Sequence, residues 1–126
     1  MANLEVRSIG KVAYSEGEMR IVLDKAYAKA LTGLEGFSHV QVLWWFSEDD
    51  DGQETHAWIE NNPYKKAPAM LGTFATRSPK RPNKIELSCT QITYVDVENA
   101  AVGIAYIDAF HDTPVLDIKP YTPSLD

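Results

Sequence analysis

No stretch of this chain carries the long 3.6-residue apolar stripe that a packed helix needs. Instead, short runs rich in β-branched and apolar residues alternate with Gly, Pro, Asn and Ser, the pattern of strands joined by tight turns. Leu4 to Tyr14 reads as a first strand, Ser15 to Glu18 as a turn, and Met19 to Leu23 as a second strand. Asp24 is placed to cap a short helix over Lys25 to Leu31, ended by Gly33; the spacing of Tyr27, Ala30 and Leu31 supports only one or two turns. Phe37 to Phe46 is the most apolar segment and is expected to be a central strand covered on both faces. His56 to Glu60 reads as a further short strand, Asn61 to Tyr64 as a turn, and Met70 to Thr76 as a strand leading into an irregular loop. Ile85 to Val97 and Ala101 to Ala109 form an expected antiparallel pair around Glu98 to Ala100, and Val115 to Ile118 is extended. Strands without βαβ alternation predict a mainly-β barrel or sandwich with one short helix. With 126 residues, the expectation is a single domain over 1–126.

An apolar content of 44% against 24% charged residues belongs to a globular chain rather than a disordered one. No apolar run approaches a membrane span, and Met1 to Glu5 lacks the basic and apolar regions of a signal peptide. The one cysteine, Cys89, has no internal partner, and its β-branched surroundings predict a buried structural thiol. These features predict a soluble cytoplasmic protein with no membrane contact.

The net charge of −6 argues against a nonspecific grip on nucleic acid, but its distribution is uneven. From Asn61 to Ile85 there are six basic residues and no acidic one, so the rest of the chain carries six basic residues against all 18 acids. Within this island, Arg77, Lys80, Arg81 and Lys84 crowd a segment stiffened by Pro79 and Pro82. Such a loop suits an anionic ligand, a nucleotide-like cofactor or one RNA loop. A solvated surface turn accounts for the spacing equally well.

Other chemistries find little support. Ser78 and Ser88 show no partner base and no Gly-x-Ser-x-Gly elbow. His39, His56 and His111 are widely spaced without a metal-binding pattern, and the acidic run Glu48 to Glu54 has its glycine misplaced for a calcium loop, so no metal is expected. Neither a P-loop nor a Gly-x-Gly-x-x-Gly turn is present. What remains is the basic loop paired with the segment Asp112 to Tyr121. An arginine can hold a carboxylate bidentately, and the groups around Asp112, Thr113 and Pro114 can meet an amine or a ribose. A zwitterionic ligand bearing a nucleoside would suit that mixture; S-adenosylmethionine is one such ligand, though the residues alone do not select it.

Ala75-Thr-Arg-Ser-Pro-Lys-Arg-Pro-Asn83, Gly36-Phe-Ser-His39 and Thr113-Pro-Val-Leu-Asp-Ile-Lys-Pro-Tyr121 resemble the TsaA/TrmO (YaeB-like) family. Ile9-Gly10 and Gly33-Leu-Glu-Gly-Phe37 extend the resemblance, in order, over nearly the whole chain. The family's better-known members are S-adenosylmethionine-dependent tRNA methyltransferases that act on N6 of a threonylcarbamoylated adenosine beside the anticodon of a threonine tRNA. The resemblance implies a small β-barrel, a homodimer, and S-adenosylmethionine as cofactor. By position it implies cofactor contacts from Ser47, Glu48, Arg77, Leu87, His111, Asp112, Thr113 and Pro114. Asp117, His111 and Asp108 are the candidate bases, with Asp117 preferred, and Lys80, Arg81 and Lys84 are assigned to the RNA backbone.

The chain departs from the family pattern at several positions. Arg-Pro-Asn-Pro-Ile-Gly becomes Arg81-Pro-Asn-Lys-Ile-Glu86, and Asp-Gly-Thr-Pro becomes His111-Asp-Thr-Pro114. The turn from Tyr14 to Glu18 is too short for the family's Gln-Pro-Gly-like segment, and Ser47-Glu48 replaces His-Gln. The larger bacterial members carry a C-terminal domain, and none is expected here after Tyr121. A small-molecule methyltransferase and a non-catalytic metabolite- or protein-binding member therefore stand beside the tRNA enzyme as alternative readings.

Overall fold

Strand pairing closes on itself in this protein. The computed structural model describes residues 2–47, 58–64 and 68–126. Its strands are β1 (Gly10–Ser15), β2 (Glu18–Leu23), β3 (His39–Trp45), β4 (Ile59–Asn61), β5 (Met70–Gly72), β6 (Ile85–Asp96), β7 (Ala101–Ile104) and β8 (Pro114–Pro120). Six of them form a closed barrel in the order β1-β2-β7-β6-β3-β8, with β8 returning to β1, and every pairing is antiparallel. β4 and β5 form a separate two-stranded sheet. No helix among the described residues is long and apolar enough to cross a membrane.

Period-two alternation sets which side chains fill the barrel. Along β3, Val40, Val42 and Trp44 are buried while His39, Gln41, Leu43 and Trp45 are half-buried. They meet Val12, Ile21, Val102, Ile104 and Val115 in one core, where each fully buried aliphatic side chain contributes about 1.5–3 kcal/mol. Leu31, from the 3-10 helix Lys25–Leu31, packs into the same core. Glu16 (φ 51°) and Gly17 (φ 75°) make the two-residue turn from β1 to β2, whose twist suits an antiparallel pair. Gly103 is needed for packing, because a Cβ there would lie 2.2 Å from the Tyr94 ring.

Several expectations change. Residues 4–9 are not a strand, and Leu4 and Val6 are exposed; the ladder starts at Gly10, where β8 becomes available. β3 is fully buried on one face only, because a closed barrel has one interior; its alternate residues are half-buried. The short helix is 3-10 in type and lacks a side-chain cap from Asp24. β5 ends at Gly72 and continues as a 3-10 turn, Thr73–Ala75. β7 stops at Ile104, after which the Ala105 and Tyr106 amides turn to Gln91 O and Thr90 Oγ1 of β6. Cys89 is exposed, since Ser88 and Thr90 take the inward positions of β6 and leave the thiol facing out. The expected strand start at His56 and the acidic turn Glu48 to Glu54 lie outside the described residues.

Candidate functional site

Register brings the predicted segments to one end of the barrel. Gly10 pairs with Val115, Val115 with Trp44, and Trp44 with Glu86, so the start of β8, the end of β3 and the start of β6 share a rim. Ser47 follows β3 there, and the basic loop enters β6 there. The connection from β7 to β8 crosses the same rim, because Ser88 Oγ hydrogen-bonds Asp108 Oδ1 at 3.3 Å. The same hydroxyl accepts the Trp44 indole N–H at 3.0 Å. Ser88 thus has a partner that spacing does not reveal, but it is a carboxylate, and among the described residues no histidine bonds the pair to form a nucleophilic triad.

Alternation also sends Glu86 inward, opposite Trp44. Its Oε2 is buried without a hydrogen-bond partner among the described residues. Burial pushes the carboxyl pKa above its ordinary value; Arg81 pulls it down, Asp108 raises it, and Arg77 lowers it. Two carboxyls and two guanidiniums therefore act on one another across this rim, beside the tilted Trp44 and Phe46 rings with centroids 6.2 Å apart.

The loop is held by its own cations. Arg81 Nη1 donates to the carbonyls of Thr76 (2.8 Å), Ser78 (3.2 Å) and Thr73 (3.3 Å), and its guanidinium lies 5.9 Å from the Phe74 ring centre. Arg81 is therefore an internal clamp whose Nη1 is committed to the loop. Arg77 Nη2 donates to Leu87 O at 2.6 Å, which ties the loop to β6 and leaves its other guanidinium donors for a ligand. Lys80 is exposed, and Lys84 is half-buried beside the start of β6, with its carbonyl accepting Phe46 N–H.

The terminal motif wraps the end of β1. His111 Nδ1 accepts the Tyr14 N–H at 2.9 Å, Asp112 N–H donates to Val12 O, and Val12 N–H donates to Thr113 O. Tyr14 O–H donates to Ala109 O and pins the approach to the motif. Thr113 is buried and Pro114 opens β8. Asp112 sits at φ 70°, a left-handed conformation that favours glycine, and its carboxylate pairs with Lys11 Nζ at 3.2 Å. The family glycine replaced at this position thus has a backbone reason.

Asp117 is not brought into the rim cluster. Its neighbour Ile118 takes the inward side, while Asp117 accepts the Ile118 N–H at 2.9 Å and pairs with Lys119 at 3.2 Å. Glu48 lies outside the described residues. The sequence marks Glu86 only as a departure from the family pattern and Trp44 only as part of an apolar strand; period-two counting along β6 and β3 is the signal that places both inside the rim. Among the described residues no group of three or more His, Cys, Asp or Glu side chains could hold a metal ion.

Residues 10–126 match the sequence model of the tRNA-methyltransferase O N-terminal domain. A tRNA (adenine(37)-N6)-methyltransferase of Escherichia coli is 34% identical over 121 residues, covering 93% of this chain and 50% of that protein. A probable S-adenosyl-L-methionine-binding protein of Methanocaldococcus jannaschii is 32% identical over 127 residues, covering 96% of this chain and 94% of its own length. The crystal structure of TrmO from Pseudomonas aeruginosa superposes with a TM-score of 0.74 at 27% identity, over 99% of this chain and 58% of that one. The chain thus spans about half the length of the bacterial methyltransferase, and 21% of the length of mammalian proteins of the same name.

Proposed function

The chain belongs to the tRNA-methyltransferase O N-terminal domain family, and on that premise we propose that it transfers a methyl group from S-adenosylmethionine to N6 of an adenosine in tRNA. The observation that carries the proposal is the meeting of Arg77, Glu86, Asp108 and the His111–Pro114 turn at one rim of a barrel of this family. The residues fit the cofactor's charges. Arg77 offers donors to a carboxylate, while the partnerless buried oxygen of Glu86 suits a cationic or N–H group.

When bound, S-adenosylmethionine supplies an electrophilic methyl on a sulfonium. Ser47, Arg77, Leu87 and His111 through Pro114 form its contact surface in this reading, with Glu48 assigned to it from the sequence alone. Alignment of this kind supplies up to roughly 7–11 kcal/mol of barrier reduction. Asp108, held by Ser88, replaces Asp117 as the preferred base, with His111 second. Its carboxylate would take the proton that the acceptor nitrogen loses as the methyl passes to that nitrogen and the sulfonium is left as a neutral thioether. Lys80 and Lys84 meet the RNA backbone, and Arg81 acts there through the loop it clamps.

We place the acceptor in threonylcarbamoylated adenosine beside the anticodon of threonine tRNA. The protein acts as a cytoplasmic homodimer, with 1–126 as one barrel domain. The test is transfer of labelled methyl from S-adenosylmethionine to threonine tRNA with and without the threonylcarbamoyl group. Labelled N6-methylated nucleoside only from the modified tRNA is the expected result. Label in neither tRNA, with cofactor binding intact, would move the activity to another acceptor.

A further inference from the structure

A second recess lies on the small β4–β5 sheet. It is a cleft of about 430 Å³ bounded by Trp58, Ile59, Glu60 and Asn61, by Met70, and by Thr73 and Lys80 of the turn and loop that follow. That volume is in the usual range for small-ligand sites, roughly 300–1,000 Å³. Thr73 is only 3% exposed, yet its hydroxyl oxygen has no hydrogen-bond partner. A buried hydroxyl left this way is costly, and it lies beneath the cleft lining among the described residues. Trp58 and Met70 stay exposed at the cleft, an apolar and aromatic surface beside polar groups.

Trp58 also holds a left-handed backbone conformation, φ 54°, which is unusual for a bulky residue. The Thr73 N–H bonds the Trp58 carbonyl at 2.9 Å, so the bend is fixed to the cleft floor. Lys80 contributes an exposed cation with no ion pair among the described residues, inside the stretch of six basic and no acidic residues.

We propose that this cleft receives one unpaired nucleotide of RNA. Its base stacks on Trp58 against Met70, its polar edge or ribose hydroxyl meets Asn61, and its phosphate meets Lys80. A planar face, hydrogen-bonding groups and a cation in one recess are what an unstacked nucleotide requires. Glu60, the one acid on the lining, accepts the Thr76 hydroxyl at 3.4 Å, and the basic stretch that begins after it leaves Lys80 to favour a phosphate-bearing occupant over a basic peptide. Arg81 Nη1 bonds Thr73 O and Thr76 O, so the cleft and the rim share one clamped loop. The proposal rests on the RNA-methylating reading and assigns the cleft to a nucleotide flanking the acceptor.

The test compares binding of an RNA hairpin with a seven-nucleotide loop, a fully paired duplex of the same length, and adenosine monophosphate, by fluorescence anisotropy and competition. Trp58→Ala is expected to weaken hairpin binding about tenfold or more, the value of one lost base stack. Trp58→Phe is expected to recover most of that loss, which separates stacking from misfolding. Lys80→Ala is expected to lower the salt slope by about one phosphate contact. S-adenosylmethionine affinity, followed calorimetrically, is expected to stay unchanged in all three variants. Hairpin binding unaltered in Trp58→Ala, or equal affinity for duplex and hairpin, overturns the cleft assignment while cofactor binding keeps the rim reading intact. Adenosine monophosphate bound as tightly as the hairpin overturns the RNA occupant in favour of a free nucleotide. Absent cofactor binding in the wild-type chain identifies a failure of the rim reading instead.

Discussion

The barrel and the small β4–β5 sheet are built on opposite plans. In the barrel every strand has two neighbours, and its inward residues Ile21, Val40, Val42 and Val102 are fully buried. The β4–β5 sheet has three residues per strand, one partner each, and exposes Trp58, Ile59 and Met70. Two such strands are marginal alone. They are held by the Thr73–Trp58 backbone bond and by the loop that Arg81 clamps. The contrast shows a division of labour in which the closed sheet supplies a rigid rim and the clamped segment presents side chains outward.

Core substitution is the strongest way to expose that division. Ile21→Ala removes a fully buried side chain and is expected to cost about 2–5 kcal/mol in urea unfolding. Ile59→Ala, at an exposed position on the small sheet, is expected to stay within about 0.5 kcal/mol. Equal losses would mean that the two regions share one core.

Arg81→Ala comes next. Each charged hydrogen bond is worth about 1.5–3 kcal/mol, so the loop should open locally while the barrel stays folded. Hydrogen exchange should quicken at Thr76, whose amide bonds Thr73 O, and remain slow at Val42 and Val102 of the barrel. Arg81→Lys should not restore protection, because one ammonium does not reproduce the planar fork. Protection recovered by lysine would reduce the clamp to a charge effect.

Glu86 gives a smaller, pH-dependent test on the rim. Its folded-state pKa is raised, chiefly by burial, so the folded protein binds the proton more tightly than the unfolded chain. Stability from this group is therefore full below the ordinary carboxylate pKa and falls as pH rises through the raised value. Glu86→Gln should remove that decline, gaining relative to wild type as pH goes from about 4 to 8 in denaturant midpoints. A parallel offset at every pH would contradict it.

Asp112→Gly should change least. Glycine relieves the left-handed backbone but forfeits the exposed pair with Lys11, so the net effect should lie within about 1 kcal/mol in thermal unfolding. A loss well beyond that would make the carboxylate structural.

Much of this architecture was legible in the residues. Alternation and turn punctuation identified most of the strands, and the Arg77 and Thr113 motifs pointed to segments that the barrel places at one end. Less was legible where tertiary closure decides. That β3 has one covered face follows from the sheet closing on itself, and β7 stops at Ile104 because Tyr106 is captured by Thr90. Arg81 shows the same limit: its charge suggests a phosphate, whereas its Nη1 donors fold back onto its own loop. The orphan oxygens of Glu86 and Thr73 exist only once neighbours are assembled around them.

Calorimetric titration of S-adenosylmethionine into the wild-type chain and into Arg77→Ala tests the central claim, that the rim is the cofactor site. The account predicts saturable one-site binding by the wild type and at least a tenfold loss on removing the guanidinium, about 1.4 kcal/mol. Equal binding by both proteins would contradict the rim assignment, and silence in both would contradict cofactor binding by this chain.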